Sequence, residues 1–112
     1  MAFNAEARLT IPAQTPERSP VCEIYQLTQR YLTGLSITFP PGCKGAVGIR
    51  ITDNGSQFAP YPNGWYTGNG ETIQWGGARR MEGPPYTLIV YAYNIAIDYA
   101  HTITLRTQTA QR

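Results

Sequence analysis

The chain is 112 residues long, a length typical of one domain with a single hydrophobic core. Its nine basic and seven acidic side chains are scattered, so the net charge of +2 comes without the basic tract that nucleic-acid binding requires. The sequence has no apolar run approaching the length of a membrane span, and residues 1–20 lack the features of a secretion signal. We therefore expect one soluble domain over residues 1–112, made in a cytoplasm, that binds neither nucleic acid nor membrane.

The low content of charged residues bears on what the surface does. Only 14% of the residues are charged, against roughly 25% in an average soluble domain. Much of the exterior must therefore consist of uncharged polar and aromatic groups. Because a weakly charged surface is typical of a protein that covers part of itself with a partner, the composition favours assembly with other polypeptides.

The first strand is followed by a proline-rich segment. Residues 3–11 alternate apolar and polar side chains, which predicts a half-buried strand. Pro12, Pro16 and Pro20 then remove three backbone donors and favour extended conformations. Residues 12–20 are therefore predicted to form an arm or an edge crossing, of the kind that can lie over a neighbouring subunit.

The next part of the sequence also reads as β-structure. Residues 21–31 fit one face of a helix as well as a strand, but their density of Val, Ile, Tyr and Thr favours a strand. Residues 35–39 and 47–52 alternate clearly. The Asn-Gly pair at 54–55 predicts a tight hairpin leading into residues 57–59, because both residues tolerate the positive φ angles of such a turn.

The second half begins with loops and ends with strands. Residues 60–70 are rich in glycine and proline and are predicted to form a loop. A short strand at 71–75 and a loop at 76–85 follow. Residues 86–93 are apolar on both faces, which indicates a central strand or one whose second face meets another chain. Residues 101–107 alternate as a last strand.

These elements define the expected fold. About eight short strands, no secure helix and frequent turn signals predict an all-β, antiparallel β-sandwich. The long crossings between strands favour a jelly-roll or Greek-key arrangement over a meander.

The residues that could perform chemistry are few. His101 is the only histidine, so a nucleophile with an adjacent base is not expected, and the seven acids suggest no catalytic pair. Cys22 and Cys43 have no neighbours at metal-ligand spacing. Buried or idle thiols are favoured for them, with a disulfide as the alternative. We predict no enzyme activity, no cofactor and no metal site.

Partner binding is therefore assigned to exposed side chains. An aromatic loop is the strongest candidate, because exposed rings can stack on sugars or anchor a protein interface; the favoured alternative for Trp65 is to fold inward and plug the sandwich. The arm, an arginine pair and the two-faced strand supply further candidates. The predicted partner-binding residues are Pro12, Pro16, Tyr61, Trp65, Tyr66, Arg79, Arg80, Tyr91 and Tyr93.

Four runs of sequence carry a family resemblance. They are ITFPPGCKGAVGIRI, PNGWYTGNGETIQW, PPYTLIVYAYN and YAHTITLR, which fall within residues 35–106. In them the chain resembles small virion-associated β-sandwich proteins of tailed bacteriophages. The resemblance implies a capsid decoration (cement) protein that assembles as a homo-oligomer, with a trimer favoured, on the capsid surface of the virion. Its implied partner is the major capsid protein.

The sequence leaves two alternatives open. The same features suit a structural protein of the phage tail or baseplate. A carbohydrate-binding module is the second alternative, with the loop of Trp65 and Tyr66 as a stacking platform for sugar rings.

Overall fold

The computed structural model describes residues 2–27, 29–42, 45–53, 56–60, 63–81, 86–96 and 99–110, without the side chains of residues 2–5 and 77–78. These residues form nine strands and no helix, so none of them belongs to a helix that spans a membrane. The strands are β1 (Ala2–Ile11), β2 (Val21–Leu27), β3 (Tyr31–Thr38), β4 (Val47–Asp53), β5 (Ser56–Ala59), β6 (Tyr66–Thr67), β7 (Thr72–Arg80), β8 (Tyr86–Asn94) and β9 (His101–Ala110).

The chain is arranged as one long hairpin rolled into two layers. Its tip lies between β4 and β5, and from there β3 pairs with β7, β2 with β8, and β1 with β9, all antiparallel. Rolling gives a four-stranded sheet in the order β1-β9-β3-β7. The five-stranded sheet has the order β2-β8-β4-β5, with β6 also paired to β4. This connectivity is a jelly roll, so the predicted antiparallel sandwich is confirmed.

The core is a single apolar layer between the two sheets. It follows from the alternation in sequence, because every second side chain of a strand points to the same face. Each large aliphatic side chain buried in this way stabilises the fold by about 1.5–3 kcal/mol. Its buried members include Leu9, Ile11, Leu35, Ile37, Val47, Ile49, Ile51, Leu88, Val90, Ala92, Ile103 and Leu105.

The ambiguous segment at residues 21–31 is strand, as predicted, but it contains two strands. β2 ends at Leu27 and β3 begins at Tyr31. The predicted hairpin is confirmed by the antiparallel pairing of Asp53 with Ser56. Asn54 and Gly55 themselves lie outside the described residues.

The prediction of a loop directly after residue 75 is wrong, because β7 continues to Arg80. Gly76 pairs in register with Gly34 of β3, and the ladder needs only backbone groups at that point. The register of the pairing between β3 and β7 shifts between Leu32 and Gly34, and beyond this shift Leu32 pairs with Arg79. Residues 82–85 of the predicted loop lie outside the described part of the chain.

One ion pair fastens the end of β7 to the hairpin tip. Nε of Arg79 donates to Oδ2 of Asp53 over 3.1 Å, and the Asp53 side chain is fully buried. The Arg79 guanidinium also lies over the ring of Phe58, with its carbon 4.7 Å from the ring centre. Arg79 is therefore a structural residue that neutralises a buried carboxylate.

Replacing Arg79 tests this role. Arg79→Met should lower the free energy of unfolding by about 3 kcal/mol, because a buried carboxylate loses its charged partner. Arg80→Met is the matched control, since Arg80 is exposed on the same strand. Its effect should stay within about 0.5 kcal/mol. Equal losses in the two variants, measured by urea unfolding, would contradict the assignment.

Candidate functional site

Arg50 lies between two aromatic rings on the outer face of the five-stranded sheet. In β4 it pairs with Tyr91 of β8, and the guanidinium carbon is 4.6 Å from the centre of the Tyr91 ring. Trp65 directly precedes β6, in which Tyr66 pairs with Ile49. Trp65 therefore flanks Arg50 on the side away from β8, and the centre of its ring is 4.7 Å from the guanidinium carbon. Both distances are within the range of cation–π attraction. The guanidinium is therefore sandwiched between rings.

At the base of this cluster the Tyr93 ring packs over Gly48. Gly48 pairs with Tyr93, and the far end of the Tyr93 ring occupies the space that a Cβ at position 48 would need. The same ring meets Trp65 edge to face, with centroids 4.8 Å apart and planes at 81°. Gly48 thus lets Tyr93 lie low enough to support Trp65, which in turn stacks on Arg50.

Among the described residues, no carboxylate forms an ion pair with Arg50. Nε of Arg50 is buried and has no hydrogen-bond partner among the described residues. Burial raises the pKa of the Tyr93 hydroxyl, and the nearby Glu17 carboxylate raises it further, so Tyr93 stays neutral at physiological pH. Burial also raises the pKa of Tyr66. The Glu17 carboxylate, which lies near Tyr93, forms no ion pair with Arg50.

An apolar patch continues from this cluster towards the edge strand β2. Ile24 pairs with Ile89 of β8, and Ile24 is 65% exposed. Cys22, which pairs with Tyr91, is exposed. We name this surface the aromatic face. It consists of Ile24, Arg50, Trp65, Ile89, Tyr91 and Tyr93.

The outer face of the four-stranded sheet is polar. A row of side chains crosses it in register, from Glu6 through Arg106 and Ser36 to Gln74. Nε of Arg106 donates to Oε1 of Glu6 over 2.8 Å, so the two charges compensate each other. With Gly76 and Gln108 these residues line an open groove of about 800 Å³. We name it the polar groove.

Three of the predicted partner-binding residues meet in one cluster: Trp65, Tyr91 and Tyr93. Trp65 does not plug the sandwich, because it lies half-buried on the outside of the sheet. Tyr66 packs against the core instead, since neighbouring residues of a strand point to opposite faces. Trp65 and Tyr66 therefore do not form one platform. Tyr61 lies outside the described residues.

The other predicted residues lie elsewhere. Arg79 is held by Asp53, whereas Arg80 is exposed. Pro12 and Pro16 are exposed in a crossing from β1 to β2 that is tied to its own chain, because the Thr15 amide donates to the Asn94 carbonyl over 2.7 Å. Whether Pro12, Pro16 and Arg80 touch a partner stays a prediction.

Sequence reasoning missed Arg50. The alternation at residues 47–52 places Arg50 on the face opposite to the core-facing isoleucines. It therefore identifies Arg50 only as an outward side chain. Its sandwich depends on the register between β4, β6 and β8, which no local pattern specifies.

Metal-binding and thiol chemistry can be described for part of the chain. Across the described ranges, no group of three or more His, Cys, Asp or Glu side chains lies close enough to hold a metal ion. Cys22 carries a free thiol, and Cys43 is outside those ranges. His101, at the start of β9, is half-buried.

Comparison with known proteins gives likenesses of fold only. No family model matches the chain, and no curated protein sequence matches it. The Yersinia pseudotuberculosis-derived mitogen is 11% identical, with a TM-score of 0.48 over 100% of this chain and 90% of the mitogen. The pre-peptidase C-terminal domain of a Bacillus anthracis collagenase is 10% identical, with a TM-score of 0.49 over 92% and 87%. Neither likeness bears on function. The chain is a jelly-roll β-sandwich with two chemically different outer faces.

The role of Gly48 beneath Tyr93 can be tested by comparison with Gly76, a glycine in another strand. Gly48→Ala should cost about 2 kcal/mol of unfolding free energy, because the new methyl group forces the Tyr93 ring to move. Gly76→Ala meets open space, so it should leave stability unchanged or raise it by up to about 1 kcal/mol. Thermal unfolding followed by tryptophan fluorescence measures both. Similar effects at the two positions would show that Tyr93 does not need Gly48.

Proposed function

We propose that this chain is a structural virion protein of a tailed phage, a decoration protein that binds the assembled capsid through its aromatic face. The observation that carries the proposal is the composition of that face. Ile24 is 65% exposed beside Ile89, and the half-buried side chains of Arg50, Trp65 and Tyr91 continue this surface, with Tyr93 buried beneath them. Tyr, Trp and Arg are the residue types that dominate the energetics of protein interfaces.

The build of the aromatic face suits protein docking. Trp65, Tyr91 and Arg50 are held against one another before any partner arrives, so little side-chain freedom remains to be lost on binding. The exposed isoleucine gains free energy when a partner removes it from water. A docking surface of this kind needs a rigid support, which the paired strands β4 and β8 supply.

The decoration role requires that the chain bind the assembled capsid and not its separated subunits. A protein that binds the intact shell but not its separated subunits stabilises the shell by mass action, by about 2.7 kcal/mol per site at a hundred times its Kd. A homotrimer, the favoured oligomer, binds several capsid subunits at once and so raises its effective affinity. The major capsid protein is the proposed partner, and the exterior of the virion the proposed location.

Capsid binding is the direct test. Capsids from the genome that encodes this chain, prepared without it, should bind the purified protein and rupture at a higher temperature. Ile24→Asp should weaken binding at least tenfold, because it places a charge in the apolar patch while leaving the core untouched. Gln74→Ala, on the opposite face, is the matched control and should bind as the wild type does. Binding to tails in place of capsids would support the tail or baseplate alternative, and binding to neither would remove the proposal.

A carbohydrate-binding module is the second candidate function, and the polar groove is the observation that favours it. Ser36, Gln74 and Gln108 offer hydroxyl and amide groups that both donate and accept hydrogen bonds. The Glu6–Arg106 pair leaves no uncompensated charge in the row, which suits a neutral sugar. The earlier candidate platform at Trp65 is less suitable, because Arg50 already stacks on that ring.

The groove can be blocked without disturbing the core. Gly76→Val fills space in the groove that is open at the Cβ position, so it should abolish binding of neutral oligosaccharides on a glycan array. Ile24→Asp should leave sugar binding intact. A wild-type protein that binds no glycan would remove this second function, and so would full sugar binding by the valine variant.

A further inference from the structure

Arg50 is a cation without a counter-ion in the described part of the chain. It forms no ion pair and no hydrogen bond with the residues described there, and its Nε is buried. By contrast, Arg79 and Arg106 each meet a carboxylate. Buried donors are nearly always satisfied in native proteins, so an unsatisfied one calls for an explanation.

The two flanking rings determine how Arg50 can be approached. The guanidinium carbon lies within 4.7 Å of the centres of both the Tyr91 and the Trp65 rings. Tyr91 belongs to β8 and Trp65 directly precedes β6, the strands on either side of β4, and Nε is enclosed. The side chain as a whole is half-buried, so its terminal amino groups form the edge that solvent reaches. That edge carries parallel N–H groups, whose spacing matches the two oxygens of a carboxylate.

The surroundings of Arg50 decide between a carboxylate and a phosphate. In register, the outer face of the five-stranded sheet carries Cys22 and Ile24 on β2, Ile89 and Tyr91 on β8, and Thr52 on β4 beside Arg50. None of these strand residues is a second cation, and the crossing before β2 brings a carboxylate, Glu17, near Tyr93. A phosphate group bears up to two charges and is typically met by a cluster of arginines, whereas a carboxylate is balanced by one.

We propose that Arg50 is a carboxylate-binding anchor, and that the partner of the aromatic face places an Asp or Glu side chain on Arg50, beside its apolar contacts with Ile24 and Ile89. The inference rests on the proposed docking function and adds the chemistry of the partner. The rings hold the guanidinium in place, so the carboxylate meets a fork that is already oriented. The ion pair forms within a surface that the partner closes to water, where charge attraction is stronger than in bulk solvent.

A titration of the wild-type protein tests the anchor without the partner. Sodium acetate is added to 15N-labelled protein at constant ionic strength, and the side-chain NMR signals of arginine and tryptophan are followed. Acetate should shift the Arg50 Nε–H and Trp65 indole signals to saturation, with an affinity at least fivefold above that at exposed Arg80. Acetamide, the neutral control, should shift neither. An Arg50 response no stronger than that of Arg80 would overturn the inference.

Two variants extend the test to the partner. Arg50→Lys keeps the charge but loses the planar fork, and Arg50→Gln loses the charge; both should weaken capsid binding at least tenfold. The Trp65 indole signal and the unfolding temperature report whether each variant keeps its fold. Failure of the wild type to bind capsids removes the proposed function and leaves the acetate result standing. Unchanged capsid binding by a folded Arg50→Gln variant contradicts the anchor alone.

Discussion

The ring of Tyr93 lies on Gly48, and the outer surface of the five-stranded sheet depends on that contact. Because position 48 has no side chain, the ring lies flat enough to meet Trp65 edge to face. Trp65 then stacks on Arg50, and Tyr91 covers the other side of the guanidinium. The absence of a Cβ at position 48 thus permits a series of ring contacts that holds the Arg50 guanidinium in place on the outer face of the sheet.

The jelly-roll topology places this surface on one of the two outer faces of the sandwich. Both sheets direct their apolar side chains into one core, so each outer face is free to differ in chemistry. The aromatic face combines exposed isoleucine with stacked rings, whereas the polar groove combines amides, hydroxyls and a compensated ion pair. Since the two faces point in opposite directions, a molecule bound to a capsid through one of them would present the other to the surrounding medium.

The sequence predicted what depends on local pattern. Alternation identified β1, β3, β4 and β9, and the Asn-Gly pair identified the hairpin tip. Prediction from the sequence failed where pairing between strands that are distant in the chain decides the local structure. Gly76 looked like the start of a loop, yet it is carried through β7 by its backbone pairing with β3. Arg50 looked like an ordinary outward residue, because only the register of three strands places it between Trp65 and Tyr91.

Ring-current shifts in the proton NMR spectrum test the central contact most directly. Protons of Gly48 beneath Tyr93, and the side-chain methylene protons of Arg50 between its two rings, should resonate far upfield of their positions in the unfolded chain. Replacing Tyr93 with leucine should return the Gly48 signals towards ordinary values. Gly48 and Arg50 signals at unfolded-chain positions in the folded wild type would contradict the stacked arrangement, and with it the surface on which the proposed docking depends.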